Sequence, residues 1–156
     1  MEGAQGNMKA LLEHLYFLAQ YLSESDLETV AAVFLIDLGF PAGKMSCQYL
    51  KTAILRYKAN PDQLVTCELY LDVGKHYGKK SKELVEIAIR RELRWQWKHR
   101  DPDKWNLYFP GGIKVRKYGP SNLEFIRRMV ELLIIWEGCR ENYRKKAGYL
   151  NEQITK

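Results

Sequence analysis

ELYLDVGKHYGKKSKELVEIAIRRELRWQW, residues 68–97, reads as two helices joined by a short turn. In the first part Leu69, Val73 and Tyr77 recur every four residues, which makes one helical stripe, and Gly74 leaves room for another helix to pass closely. Gly78 can take the positive φ that ends a helix, and after Lys79-Lys80 the hydroxyl of Ser81 can cap the next one. From Lys82 to Trp97 the helical pattern resumes. Val85, Ala88, Ile89, Leu93 and Gln96 fall on one side, while Glu83, Glu86, Ile87, Arg90 and Arg94 fall opposite and Arg91 lies at the margin. A helix-turn-helix whose second helix has an apolar back and an arginine-bearing front suits packing on a domain and entry into a major groove. An ordinary solvated amphipathic helix fits the pattern alone equally well.

Charge separates the two readings. The chain has 156 residues and a formal charge of +6. Residues 1–74 carry 5 basic against 9 acidic side chains, residues 75–117 carry 13 against 5, and residues 118–156 carry 7 against 5. The whole excess therefore lies in the segment that contains the second helix. A polyanion would be drawn there rather than to the surface at large, and solubilising faces usually mix signs.

Upstream, Leu11, Leu12, Leu15, Leu18, Ala19 and Leu22 line one face of a helix over Met8–Leu22. Ser25-Asp26-Leu27-Glu28 has the spacing of a capping box and starts a helix that ends near Gly39 and Pro41. Ser46 is placed to cap a third, with Tyr49, Leu50, Ala53, Ile54 and Tyr57 inward, broken by Asn60-Pro61. Downstream, Lys98–Asp103 reads as a charged break. Leu107–Arg116, with Gly111-Gly112 between β-prone runs, has room for one short hairpin that would set Lys114 and Arg116 on the same side. Ser121 opens a last helix with Phe125, Met129, Leu132, Leu133 and Trp136 as its stripe, and beyond Gly138 the pattern weakens. The division expected is an additional N-terminal helix at 1–26, a helix-turn-helix domain at 27–137 and a polar tail at 138–156.

Four separated blocks resemble one family in the right order. They are Leu38-Gly39-Phe40-Pro41-Ala42 with Gln48-Tyr49-Leu50 and Ala53-Ile54; Leu69-Tyr70 with Asp72 and Lys75; Val85-Glu86 with Ala88-Ile89-Arg90 and Trp97; and Pro120-Ser121-Asn122 with Glu124-Phe125-Ile126. The stretch from about Leu27 to Leu133 resembles the DNA-binding effector domain of stage zero sporulation protein A, the sporulation response regulator of spore-forming bacteria. The resemblance implies an all-α fold of five to six helices and a recognition helix near Lys82–Trp97. It also implies sequence-specific binding of double-stranded DNA in transcription regulation, with no cofactor and no catalysis. Residues expected at the DNA are Lys79, Lys80, Ser81, Lys82, Glu83, Glu86, Ile87, Arg90, Arg91 and Arg94, with phosphate contacts from Lys44, Lys75, Lys114, Arg116 and Lys117. Further partners would be a second copy on DNA or RNA polymerase. Where the family has arginines beside its Val-Glu pair this chain has Leu84 and Ile87, and its turn is one residue longer. The target sequence should differ accordingly, and a protein-interaction module on the same fold is the rival reading. The residues before Leu27 are too few for the family's receiver domain, so a stand-alone effector is expected.

The remaining composition points the same way. Hydrophobic residues make up 46% and aromatics 12%, which supports a packed core and excludes intrinsic disorder. No apolar run approaches a membrane span, the first residues lack a signal-peptide pattern, and Cys47, Cys67 and Cys139 are widely spaced, so a cytoplasmic protein is expected. His14, His76 and His99 have no zinc spacing with cysteine, and phosphate-loop, dinucleotide and nucleophile-elbow motifs are missing. Asp101 and Asp103 beside Pro102 read as a turn rather than a metal site. Trp95, Trp105, Tyr108 and Phe109 are aromatic enough to stack single-stranded bases, though core positions suit most of them better.

Overall fold

The computed structural model describes residues 2–62, 68–109 and 117–155. Among these residues the protein has seven helices and no strand: α1 Glu2–Tyr21, α2 Leu27–Asp37, α3 Met45–Ala59, α4 Tyr70–His76, α5 Lys82–Lys98, α6 Pro102–Tyr108 and α7 Asn122–Thr155. The all-α expectation therefore holds, with one helix more than the sequence pattern suggests. That extra helix is α6. Asp101 caps it by accepting from the Asp103 and Lys104 amides, and Pro102 sits at its first position, where a missing N–H costs nothing. Because Leu107 and Tyr108 belong to α6, the first arm of the expected hairpin is helical; residues 110–116, with Lys114 and Arg116, lie outside the described residues, as does Cys67.

Two helix starts shift. Asp26, not Ser25, caps α2 by accepting from the Thr29 amide at 2.8 Å. At α3 the cap position falls on Lys44, which makes no side-chain cap, and Ser46 is turned inward to a different partner. Helix α2 ends as its sequence suggests. Gly39, at φ 103°, lets its own amide reach the Ile36 carbonyl and the Phe40 amide reach that of Leu35, the paired bonds of a Schellman motif.

One core runs through the bundle. It joins Leu11, Leu15 and Ala19 of α1 to Phe34 of α2, Leu50 and Ile54 of α3, and Phe125, Met129, Leu133 and Trp136 of α7, all of them buried. An aromatic cluster closes its lower end, where Trp105 of α6 lies 5.5–6.2 Å from the rings of Phe40, Trp97, Phe109 and Phe125. The Trp105 indole N–H donates to the Leu38 carbonyl, so α6 closes the end of α2. Burial pushes the Tyr108 hydroxyl far above its ordinary pKa, and that hydroxyl donates to Asp37 at 2.7 Å.

Through the stretch expected as a polar tail, α7 runs without interruption past Gly138 to Thr155. Its polar residues have work to do: Arg140 donates to the Ser25 carbonyl and Arg144 to that of Ser23, groups just past the end of α1 that have no helical partner. Helix α1 packs along α7 and brings Leu11, Leu15 and Ala19 into the core. No helix among the described residues is long and apolar enough to cross a membrane.

Candidate nucleic-acid interface

Helices α4 and α5 form the helix-turn-helix, and a glycine sets their spacing. Gly74 is buried against the turn: a Cβ there would collide with the carbonyl oxygen of Lys80, and the Lys80 amide donates back to the Gly74 carbonyl at 2.9 Å. What passes close to Gly74 is thus the turn itself and not, as expected, another helix. The chain reverses through Gly78 at φ 85° and Lys79 at φ 64°, two successive left-handed residues. Ser81 then caps α5 by accepting from the Leu84 amide at 3.1 Å, as its place in the sequence suggests. On the α3 side, Tyr77 shares a hydrogen bond with Thr52 at 2.7 Å and donates to the Gln48 carbonyl, which fixes α4 against α3.

The two faces of α5 are largely those expected. Val85, Ile89, Leu93 and Gln96 are buried, and Arg90, Arg91 and Arg94 are exposed, as are Lys79, Lys80, Ser81 and Glu83 in the turn and first helical residues. Lys82, Glu86, Ile87 and Ala88 are half-buried. Arg90 lies on Glu86 one turn earlier, Nη1 to Oε1 3.3 Å. Both side chains are about half exposed, so this pair is worth under about 1 kcal/mol and gives way easily to a stronger acceptor. Asn122, from the Pro120-Ser121-Asn122 block, donates to the Glu86 carbonyl and ties the start of α7 to the middle of α5. Beside that tie, Tyr70, Glu86, Arg90, Arg94 and Tyr118 line a hollow of about 390 Å³. Burial raises the Tyr70 pKa, against the opposing effect of its hydrogen bond with Asn122.

The residues proposed for phosphate separate into different places. Lys117 is exposed and its ammonium lies 5.4 Å from the Tyr118 ring, over which the Arg94 guanidinium also sits at 4.9 Å, so Lys117 does join the α5 surface. Lys75 is exposed on α4. Lys44 is engaged elsewhere: its Nζ is 3.0 Å from Glu92, a residue whose side chain is only 2% exposed.

Glu92 is the feature sequence reasoning missed. It is a carboxylate on the buried face of α5, where it accepts from Ser46 at 2.8 Å, from Gln96 at 3.1 Å and from Lys44. Burial alone would raise its pKa, but the hydrogen bonds from Lys44, Ser46 and Gln96 outweigh burial and hold it below the ordinary 4.5. This network locks α5 onto the start of α3. A signal was present: Glu92 stands three residues after Ile89 and four before Gln96, on the inward stripe. Since its folded pKa is lowered, the network's stabilisation is complete above about pH 4.5 and disappears as pH falls through the folded value. Glu92→Gln should therefore unfold about 2 kcal/mol more easily at pH 7, where a charged acceptor is lost, and this deficit should shrink as pH is lowered below 4.5 to 3. Urea midpoints at the two pH values check this, and an equal deficit at both would mean that Glu92 acts through shape rather than charge.

A family model described as sporulation initiation factor Spo0A C terminal matches residues 31–133. That span runs from within α2 into α7, contains α3 to α6 whole, and leaves α1 and about the outer two thirds of α7 outside it.

Proposed function

The chain belongs to the family of Spo0A C-terminal domains, the DNA-binding regulators of sporulation, and from that premise we propose that it reads a specific double-stranded sequence with the outer face of α5 as a transcriptional regulator in a spore-forming bacterium. The observation that carries this reading is the row Arg90, Arg91 and Arg94, exposed on the second helix of a turn drawn tight by Gly74. Arginine presents two parallel donors to O6 and N7 of a guanine, and Arg90 is held ready by an acid that it can release. In that role Glu86 would accept from a cytosine amine, and Ile87 would rest on a thymine methyl. Lys79 and Lys80 in the turn, Lys117 beside Arg94 and Lys75 on α4, all exposed, suit the sequence-independent role of phosphate contact.

Selection of bound duplexes from a random pool tests the proposal, followed by the same measurement on Arg90→Ala. An enriched motif is expected. On that motif the variant should lose about 1–3 kcal/mol and relax its preference at one base pair, while affinity for unrelated duplexes changes little. Equal binding of the motif by parent and variant would remove Arg90 from the groove.

A second reading rests on Leu84, which is 45% exposed beside the half-buried Ile87 at places where arginine would be expected. An apolar pair on that face suits a protein partner instead. Selection returning no motif, together with a protein partner whose binding Leu84→Lys abolishes, would favour it.

A further inference from the structure

Adjoining the proposed reading face, with which it shares Arg91, Arg94 and Lys117, the far end of α5 borders a groove of about 600 Å³. It opens between the last turns of α5 and the segment at Lys117-Tyr118. Its walls carry Arg91, Arg94, Lys98, Arg100 and Lys117 and no acidic side chain, and none of these five has a carboxylate partner among the described residues. The aromatic groups in it are as unusual as the charge. Trp95 is 56% exposed, although Trp97, Trp105 and Trp136 are all buried, and Tyr118 is 56% exposed as well. His99 stacks on Trp95 with centroids 3.9 Å apart and an interplanar angle of 25°, which props the indole and leaves the rest of it to solvent. The Arg100 guanidinium covers Trp97 at 3.7 Å and donates to its carbonyl at 2.7 Å, so that cation is fixed in the groove wall.

We propose that this groove binds an unpaired nucleotide, whose base stacks on Trp95 and whose phosphate is held by the surrounding cations. An indole standing in water gains most from a flat apolar partner, and the bases of a duplex offer their edges, not their faces, to a protein surface. Cations without acids around it select a flat partner that carries negative charge. A base with its phosphate meets both requirements, whereas a neutral aromatic ligand would leave five cations unanswered. The groove requires no duplex, so the proposal stands or falls apart from the reading of Arg90. The same chemistry comes from two sources, a single strand or a free nucleotide, and the groove's openness accepts either.

The test titrates the whole chain at low salt with three probes: a short oligodeoxyadenylate, dAMP, and a duplex of unrelated sequence. Each is measured on the parent, on Trp95→Ala and on Trp95→Phe. Trp95 is exposed, so the variants should fold as the parent does, and circular dichroism verifies it. The parent should bind the single strand, Trp95→Ala should weaken that binding roughly tenfold, and Trp95→Phe should restore most of it. The duplex affinity of Trp95→Ala should stay within about twofold of the parent's, since phosphate contacts alone do not need the ring. Trp95-dependent binding of dAMP to the same extent would assign the site to free nucleotides, and binding of the strand alone would assign it to single strands. Three results would overturn the proposal: no binding of strand or dAMP by the parent, binding unaffected by Trp95→Ala, or an equal loss for single strand and duplex.

Discussion

Gly74→Ala should destabilise the fold by about 3 kcal/mol and abolish DNA binding, although alanine is ordinarily the better helix residue by about 1 kcal/mol. The sign reverses because the new methyl would enter the space of the Lys80 carbonyl oxygen, and backbone, unlike a long side chain, cannot swing aside. The turn must move, and with it the bond from the Lys80 amide to the Gly74 carbonyl and the start of α5. Gly138→Ala provides the internal control. It lies within α7 with nothing within 4 Å of the added Cβ and no positive φ, so it should stabilise by roughly 0.5–1 kcal/mol. Urea unfolding of the two variants beside the parent makes the comparison. If Gly74→Ala proved neutral, the tight spacing of α4 and α5 would be wrong.

The other large effect belongs to α6. Trp105→Ala is expected to cost about 3–5 kcal/mol, as large-to-small changes in aromatic cores do. It empties the centre of the cluster formed by Phe40, Trp97, Phe109 and Phe125, and it deprives the Leu38 carbonyl of its donor. The thermal midpoint should fall steeply, and near-ultraviolet dichroism should lose much of its aromatic signal. A loss below 1 kcal/mol would show that α6 rests on the bundle without belonging to its core.

These two positions differ in how well the sequence announces them. Gly74 sits in a periodic helix next to a glycine-containing turn, and both a close approach there and the cap at Ser81 follow from spacing, whereas that the turn, and not a helix, makes the approach does not. The faces of α5 follow from the same arithmetic, since a helix of its length repeats each face several times. Helix α6 is seven residues long and shows barely two turns of pattern. Its start was written in Asp101-Pro102, a cap followed by a first-turn proline, but the charged run around them reads as a break. Glu92 escaped for another reason. Acidic residues are normally placed in water, and only the three-dimensional meeting of Ser46, Lys44 and Gln96 makes a buried site tolerable for one. Of the four aromatic residues that could have stacked single-stranded bases, Trp105, Tyr108 and Phe109 went into the core and Trp95 did not. Neighbouring composition is the same for all four; the direction in which each side chain leaves its helix is not.

The clasp between α1 and α7 bears on how the molecule comes to be folded. Arg140 and Arg144 bond to carbonyls 115 and 121 residues earlier in the chain. While it is being synthesised, the protein must hold Leu11, Leu15 and Ala19 uncovered by α7 until that helix has left the ribosome, because it lies more than about a hundred residues downstream. Contacts of such separation are slow to form, since a long loop must close before they return any energy. The helix-turn-helix, built from contacts within about thirty residues, is free to assemble well before that. Early folding in the middle and late closure at the ends would make α1 a hydrophobic amphipathic segment exposed during synthesis, and the place where a nascent-chain chaperone would bind.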